Sequence, residues 1–338
     1  MATGPDAHAR LLPAAITLRA TPRGRLWLIA ALLALIFAGI SIASPAFASP
    51  ANIRDILVNI SPVIIVACGM TILIISGEID VSVGSLLGLL GALMGLCSSP
   101  THANLPLAAV IAITLAAGAA LGLLNGLLVV LGRVPSIITT LGAMTILRGA
   151  TELLMAGSWI TDLPASLRYL GTGTPLGIPV CLWAALIAVI LSLLFLRATR
   201  PGLWTYAVGG NLHAAHLARV PTHTTRLLAF TLLGLLTGLA ALVSIPQQSV
   251  IESGIGVGFE LSVITAVVVG GASIRGGSGG ILGTLLAAIL LGSVRTGLIF
   301  INLGDSAVYW ERAIQGAFIL AAVLSDVLTR QDSARQTA

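Results

Sequence analysis

Apolar stretches of about bilayer length follow one another along almost the whole chain, and they restrict it to folds in which each span satisfies its own backbone. Within hydrocarbon no water pairs with an open N–H or C=O group, so a spanning segment is a helix or belongs to a closed barrel, and a helix needs about 20 mostly apolar residues. Such stretches lie near Leu26 to Ser44, Ile56 to Ser76, Ser82 to Cys97, Leu105 to Leu131, Val134 to Gly157, Ile178 to Leu196, Leu227 to Ile245, Leu261 to Ser273, Gly280 to Ile301 and Val308 to Leu328. The chain therefore reads as all-α, a polytopic membrane helix bundle with about ten transmembrane segments. The third and eighth stretches are too short for a full crossing and read as half-helices meeting a break.

Composition closes off the soluble alternatives: 57% of the 338 residues are hydrophobic and 9% charged, with 38 glycines. All 17 basic residues are arginine. Without lysine there is no Walker A phosphate loop and no Schiff-base chemistry, so any ATP hydrolysis belongs to a partner. The net charge of +5 does not point to nucleic acid, because aromatic residues make up 4% of the chain and no basic run exists. It orients the chain instead. Arg10, Arg19, Arg23, Arg25, Arg133, Arg197, Arg200, Arg219, Arg226, Arg275, Arg330 and Arg335 fall on one side of the ten-span layout, against Arg54 and Arg168 on the other, which sets both termini in the cytoplasm. Cys68, Cys97 and Cys181 lie in apolar stretches without paired or metal-ligand spacing and read as packing residues.

Residues 1–25, with Pro5, Pro13 and Pro22, read as a cytoplasmic tail, as do residues 329–338; residues 26–328 form the membrane domain. Arg23, Arg25 and Ala46-Phe47-Ala48 imitate a signal peptide, but the apolar run between them exceeds the usual length of about 7 to 15 residues and further spans follow, so an uncleaved first span is favoured. The longest hydrophilic stretches are Ser158 to Gly177 outside and Arg197 to Arg226 inside.

Between two apolar stretches sits Gly77-Glu78-Ile79-Asp80-Val81-Ser82-Val83-Gly84-Ser85. A carboxylate at membrane depth costs about 2.5 to 3.5 kcal/mol on insertion scales, and irregular backbone persists there only against protein or a water-filled cavity. Glu78, Asp80, Ser82 and Ser85 are thus the pathway candidates. Asp80 has three readings: accepting backbone N–H groups at the start of the helix near Ser82, facing a substrate, or relaying protons.

In the inner loop, Gly209 and Gly210 suit a sharp turn, Asn211 a cap, and Leu212 to Val220 a short amphipathic helix ended by Pro221, with Ala214 and Ala215 small enough for a partner's backbone to approach. His213 and His216 lack a third ligand and do not make a metal site. The stretch Gly270 to Gly280 has neither the lysine nor the flanking strand of a phosphate loop. Gly270, Gly271, Gly276 and Gly277 suit a hinge with Arg275 anchoring it, or close helix packing. Arg148 within a span is paired by Glu152 one turn later, and Glu311 and Arg312 flank interfacial aromatics. Trp159, Asp162, Arg168 and Tyr169 make the outer loop a docking candidate.

Gly69-Met70-Thr71 followed by Ser76 to Ser85 resembles the signature of sugar-type ABC importer permeases, the ribose permease family. Val134-Pro135-Ser136-Ile137-Ile138-Thr139-Thr140-Leu141-Gly142 through Gly149 looks like its next motif, Tyr206 to Val220 is similar to its cytoplasmic coupling segment, and Ala266 to Ser273 with Gly276, Gly277, Gly283 and Thr284 to its glycine-rich late segment. The likeness runs from about Asn52 to Asp326. It implies a multi-pass permease of the bacterial inner membrane, without cofactor. It also implies two cytoplasmic ATPase subunits, a second permease subunit (identical or a paired relative), a periplasmic binding protein and a sugar or related polyol as substrate, moved by alternating access. Coupling to the ATPase then falls on Gly209, Gly210, Asn211, His213, Ala214, Ala215, Leu217 and Arg219. The family more often has glycine where this chain has Glu78, and glutamate where it has His213. Two other transport readings stay open: a proton-coupled secondary transporter using Asp80 or Glu78, and a branched-chain amino acid permease. A membrane-embedded enzyme lacks a convergent catalytic constellation.

Overall fold

The computed structural model describes residues 22–301 and 306–335, and among these every regular element is a helix. Besides three short 3-10 turns, the α-helices in chain order are α1 (Pro22–Ala43), α2 (Pro50–Ile75), α3 (Val83–Ser98), α4 (Leu107–Val130), α5 (Ser136–Met155), α6 (Ala165–Thr172), α7 (Val180–Ala198), α8 (Arg200–Gly210), α9 (Leu212–Leu217), α10 (Thr222–Ser244), α11 (Phe259–Val269), α12 (Ile281–Phe300) and α13 (Ala307–Arg335). Seven of them, α1, α2, α4, α5, α7, α10 and α12, are long and apolar enough to cross a membrane. The third and eighth stretches form helices of 16 and 11 residues, the shortness expected of them.

Two ends differ from expectation. The first helix begins at Pro22, inside the expected tail, because a proline at the start of a helix gives up only an N–H that has no partner there. The last helix continues past Leu328 to Arg335, since no proline or glycine follows Gly316 to stop it. The rest of both expected tails, residues 1–21 with Arg10 and Arg19 and residues 336–338, lies outside the described residues.

The axis of the bundle is α2, buried along most of its length between α7, α10, α11 and α12. It is capped by Ser49, which accepts from the Asn52 N–H, and it carries Pro62 without breaking. Proline strips the carbonyl four residues earlier of its helix partner, and here the Ser61 hydroxyl donates to that carbonyl, Val58 O, at 2.8 Å. The most extensive helix–helix contact is between α4 and α10. A Cβ on Gly234 would fall 2.1 Å from Gly118 O, and one on Gly118 2.5 Å from Gly234 O, so the backbones touch only because both residues are glycine.

At one end of the bundle the starts of α1, α5 and α12 meet the ends of α2 and α11. At the other end Phe47 packs between Phe37 and Phe300, with ring centroids 5.1 and 5.5 Å away. There too Glu311 pairs with Arg295 at 3.4 Å. The hydroxyls of Ser99 and Thr101 each donate to Asp162 Oδ2 at 2.7 Å, tying two loops together. Those hydrogen bonds hold the Asp162 carboxyl down at about 2. A depressed folded value stabilises above the ordinary value of 3.8 and loses that contribution only as pH falls towards about 2, so the tie is independent of pH near neutrality.

Gly234→Leu is expected to destabilise the bundle by about 1 to 3 kcal/mol through overpacking against α4, read as a lowered unfolding midpoint in detergent. Gly39→Leu, with nothing within 4 Å of the added Cβ, is expected to leave the midpoint unchanged.

Candidate functional site

After Ile75 the chain leaves the helix at Gly77 (φ +89°) and climbs along α5. This irregular backbone finds its partners on that neighbour: Ile79 N–H donates to Ser136 Oγ at 3.4 Å and Val81 N–H to Thr140 Oγ1 at 3.2 Å, one helical turn further along. Two hydroxyls spaced by four residues thus do for an extended strand what a helix does for itself.

The break ends in a closed polar net. Asp80 Oδ1 accepts from the backbone N–H of Ser82 at 2.7 Å and from its hydroxyl at 2.6 Å, while Asp80 Oδ2 accepts from Asn125 Nδ2 at 3.1 Å. Asn125 Nδ2 also donates to Ser82 Oγ at 3.0 Å. Asp80, Ser82, Ser85 and Asn125 are all at most 5% exposed. The carboxylate sits at the start of α3, where open N–H groups and the helix dipole favour negative charge. Glu78 points elsewhere: it forms an ion pair with Arg226, one turn into α10. Among the described residues, Arg226 Nε is buried without a hydrogen-bond partner.

The chain after α10 folds back into the bundle alongside α3. Ile251 lies against Gly95, Ile255 O faces Gly88, and Gly256 reaches Gly84. Gly95 to Gly84 corresponds to about 16 Å along the helix. Consequently α11 starts deep, beside the start of α3. Arg148 Nη1 donates to Ser253 O and Ile255 O, both at 2.9 Å. This corrects the expected pairing with Glu152, which is exposed: at depth, open carbonyls of a re-entrant segment hold the guanidinium in place of a carboxylate. Glu260, in the first turn of α11, brings Oε2 so close that a Cβ on Gly84 would lie 2.1 Å from it. A second carboxylate therefore stands at the start of α3.

Three loops converge below this level. Gly277 N–H donates to Ile75 O at 2.8 Å. A Cβ on Gly209 would fall 1.8 Å from the same Ile75 O, and one on Gly276 2.9 Å from Gly77 Cα. Gly209 and Gly210 were expected to turn; they are instead the last residues of α8, and the chain turns at the extended Asn211. What Gly209 supplies is the missing side chain that lets α8 touch α2. Arg275 was expected to anchor the glycine-rich stretch, but it is exposed, and among the described residues its guanidinium makes no ion pair or hydrogen bond. Backbone bonds hold that loop, including Ser273 N–H to Ser278 O at 3.0 Å. Gly270, inside the same stretch, closes α11 against Thr284 of α12.

Asn211 caps α9 as expected, its Oδ1 accepting from Ala214 N–H at 2.9 Å. The helix ends at Leu217, short of Val220, and Arg219 takes a left-handed φ of +59°. Leu212, His213, Ala214 and Leu217 are exposed, whereas Ala215 is buried against the bundle, so the small residue open to a partner is Ala214 alone of the expected pair.

The sequence reading missed Arg226, Asn125 and Glu260. Asn125 stood out only as an amide within an apolar run, and Glu260 as an acid opening a run too short to cross.

Half-helices that begin at depth inside a polytopic bundle are a feature of membrane transport proteins. Residues 52–323 match the family described as branched-chain amino acid transport system / permease component, and the chain belongs to that family. It is 38% identical over 300 residues to the ribose import permease protein RbsC of Escherichia coli strain K12, covering 88% of this chain and 91% of that protein. It is 36% identical over 288 residues to the autoinducer 2 import system permease protein LsrC of Enterobacter sp. strain 638, covering 85% and 82%. Over 334 residues it is 32% identical to the L-arabinose ABC transporter permease protein AraH of Azospirillum brasilense, covering 97% and 95%. No solved structure matches at a significant level. The chain is a multi-pass permease component of the bacterial inner membrane.

Removing one member of the Glu78–Arg226 pair leaves a largely buried charge without its partner, which is destabilising. Glu78→Gln and Arg226→Met are each expected to lower the unfolding midpoint, and the double variant to lower it by less than the sum of the two.

Proposed function

We propose that the chain is the transmembrane subunit of an ATP-driven importer for a sugar or sugar-like solute, delivered by a periplasmic binding protein. The similarity to a ribose import permease along nearly the full length of both proteins carries this reading. In it, residues 26–328 form about ten crossings, with α3, α11 and α13 added to the seven long spans, and both termini lie in the cytoplasm, as the arginine distribution favours. Two cytoplasmic ATPase subunits and a second permease copy or relative complete the pore. The solute passes the region where α3 and α11 begin, lined by the break and by Glu260.

The coupling route is short. ATPase subunits grip the exposed Leu212, His213, Ala214 and Leu217 of α9; α9 leads through Pro221 into α10; and Arg226 on α10 holds Glu78 in the break. The backbone contacts among Gly77, Gly209, Gly276 and Gly277 let α8, the break and the glycine-rich loop move as one piece during alternating access. At the opposite end the exposed Trp159 and Tyr169 offer the binding protein a surface. With only 5 tryptophans, 3 tyrosines and 7 phenylalanines to stack on a sugar ring, selection falls mainly to that delivering protein. Proton coupling is disfavoured because Glu78 is held by Arg226 and Asp80 by donors on both oxygens.

In proteoliposomes containing the permease, its ATPase partners and the binding protein, uptake of radiolabelled ribose is expected to require ATP. Uptake that persists without ATP would replace this reading with secondary transport; uptake of leucine but not ribose would replace the sugar with an amino acid. Ala214→Trp is expected to leave ATP hydrolysis largely intact while cutting uptake at least tenfold, measured on the same vesicles.

A further inference from the structure

A cavity of about 530 Å³, apart from both the break and the coupling helix, opens at the end of the bundle where α1 begins and α7 ends. Arg25 from the first turn of α1 and Arg197 from the last turn of α7 line it, and among the described residues no acidic side chain does. Neither arginine has an ion pair among the described residues; those present are Arg226–Glu78 and Arg295–Glu311. Two guanidiniums in one concavity repel each other unless an anion lies between them. Arg25 is seated over the glycine-rich loop: at Gly271 a Cβ would come 3.1 Å from Arg25 Cδ and 3.3 Å from its Nε. Arg197 is close enough to Tyr206 to oppose the upward push that burial gives the phenol, and the Tyr206 hydroxyl is committed to Gly279 O at 3.1 Å. The start of α12 also opens here, with Gly280 in place of a side-chain cap. Below these polar groups the wall is apolar, formed by Leu26, Leu193 and Leu196.

We propose that this cavity binds a phosphate-type anion, its guanidiniums and backbone N–H groups holding the phosphate. Guanidinium forks match phosphate oxygens in pairs, and an open helix start adds N–H donors. A cationic mouth above an apolar wall, at the water end of two spans, suits the headgroup of an anionic phospholipid with its acyl chain against the leucines. A soluble phosphate shares the same polar chemistry. Occupancy at this place would brace α1, α7 and the glycine-rich loop against one another.

The test uses the full chain in nanodiscs of phosphatidylcholine containing a small fraction of phosphatidylglycerol, with retained lipid counted by native mass spectrometry after detergent release. Phosphatidylglycerol is expected to be retained by the wild type and to fall about fivefold for each of Arg25→Gln and Arg197→Gln. Arg54→Gln, at the opposite end, is expected to retain it fully. Arg25→Lys and Arg197→Lys, which keep the charge and the topology but lose the fork, are expected to be intermediate, and they keep the test decisive if a neutral variant misfolds. Inorganic phosphate that raises the unfolding midpoint in pure phosphatidylcholine, with the same dependence on Arg25 and Arg197, supports the site with a soluble anion as its occupant. Retention and midpoint both indifferent to Arg25 and Arg197 overturn the proposal. None of these readouts needs sugar or ATP, so the result is independent of the transport assignment.

Discussion

Backbone polar groups inside the membrane have no water to turn to, and the architecture here is organised around supplying them with partners. A straight helix does this unaided, so the informative places are those where the helix is interrupted. At Pro62 a neighbouring serine hydroxyl takes the freed carbonyl. Along the break after Ile75, Ser136 and Thr140 receive two N–H groups, and Asp80 with Asn125 closes the start of α3. Where the chain re-enters before α11, Arg148 takes two carbonyls. The interruption at Pro62 is repaired within its own helix, whereas the break and the re-entrant segment are each fastened to a neighbouring helix.

The second organising feature is the absence of side chains where segments cross. Gly209 against Ile75 O and Gly276 against Gly77 bring the end of α8, the end of α2 and the glycine-rich loop into backbone contact. Contact of this kind leaves no compliant layer of side chains between these segments. The break is thus tied to the α8–α10 region at two places, through these glycines and through the Arg226–Glu78 pair. The acidic groups at the break each have an assignment among the described residues, Glu78 to Arg226 and Asp80 to the α3 start.

The chain's own residues settle a great deal. Apolar length and the rarity of charge impose a helix bundle in a membrane, because hydrocarbon tolerates nothing else at that composition. The positions of Asp80 near Ser82, of Asn211 before Ala214 and of the two short stretches were legible because caps and half-helices are local, governed by residues within a few positions of one another. Partners distant in the chain were not legible. Arg148 was assigned to Glu152 because i, i+4 spacing is the one pairing a sequence exhibits, yet the carbonyls that hold it lie 105 and 107 residues away. Gly209 read as a turn because glycine permits both a turn and a close approach, and only the packing of α8 on α2 selects between them. That Ala215 is buried while Ala214 is open, and that Glu78 faces Arg226 of α10, likewise depend on how the helices rotate against one another. Sequence determined the solvent and the local geometry, since both follow from side-chain polarity and short-range bonding. Tertiary structure decided which polar group answers which, because in a low-dielectric interior that choice is made by proximity between segments far apart in the chain.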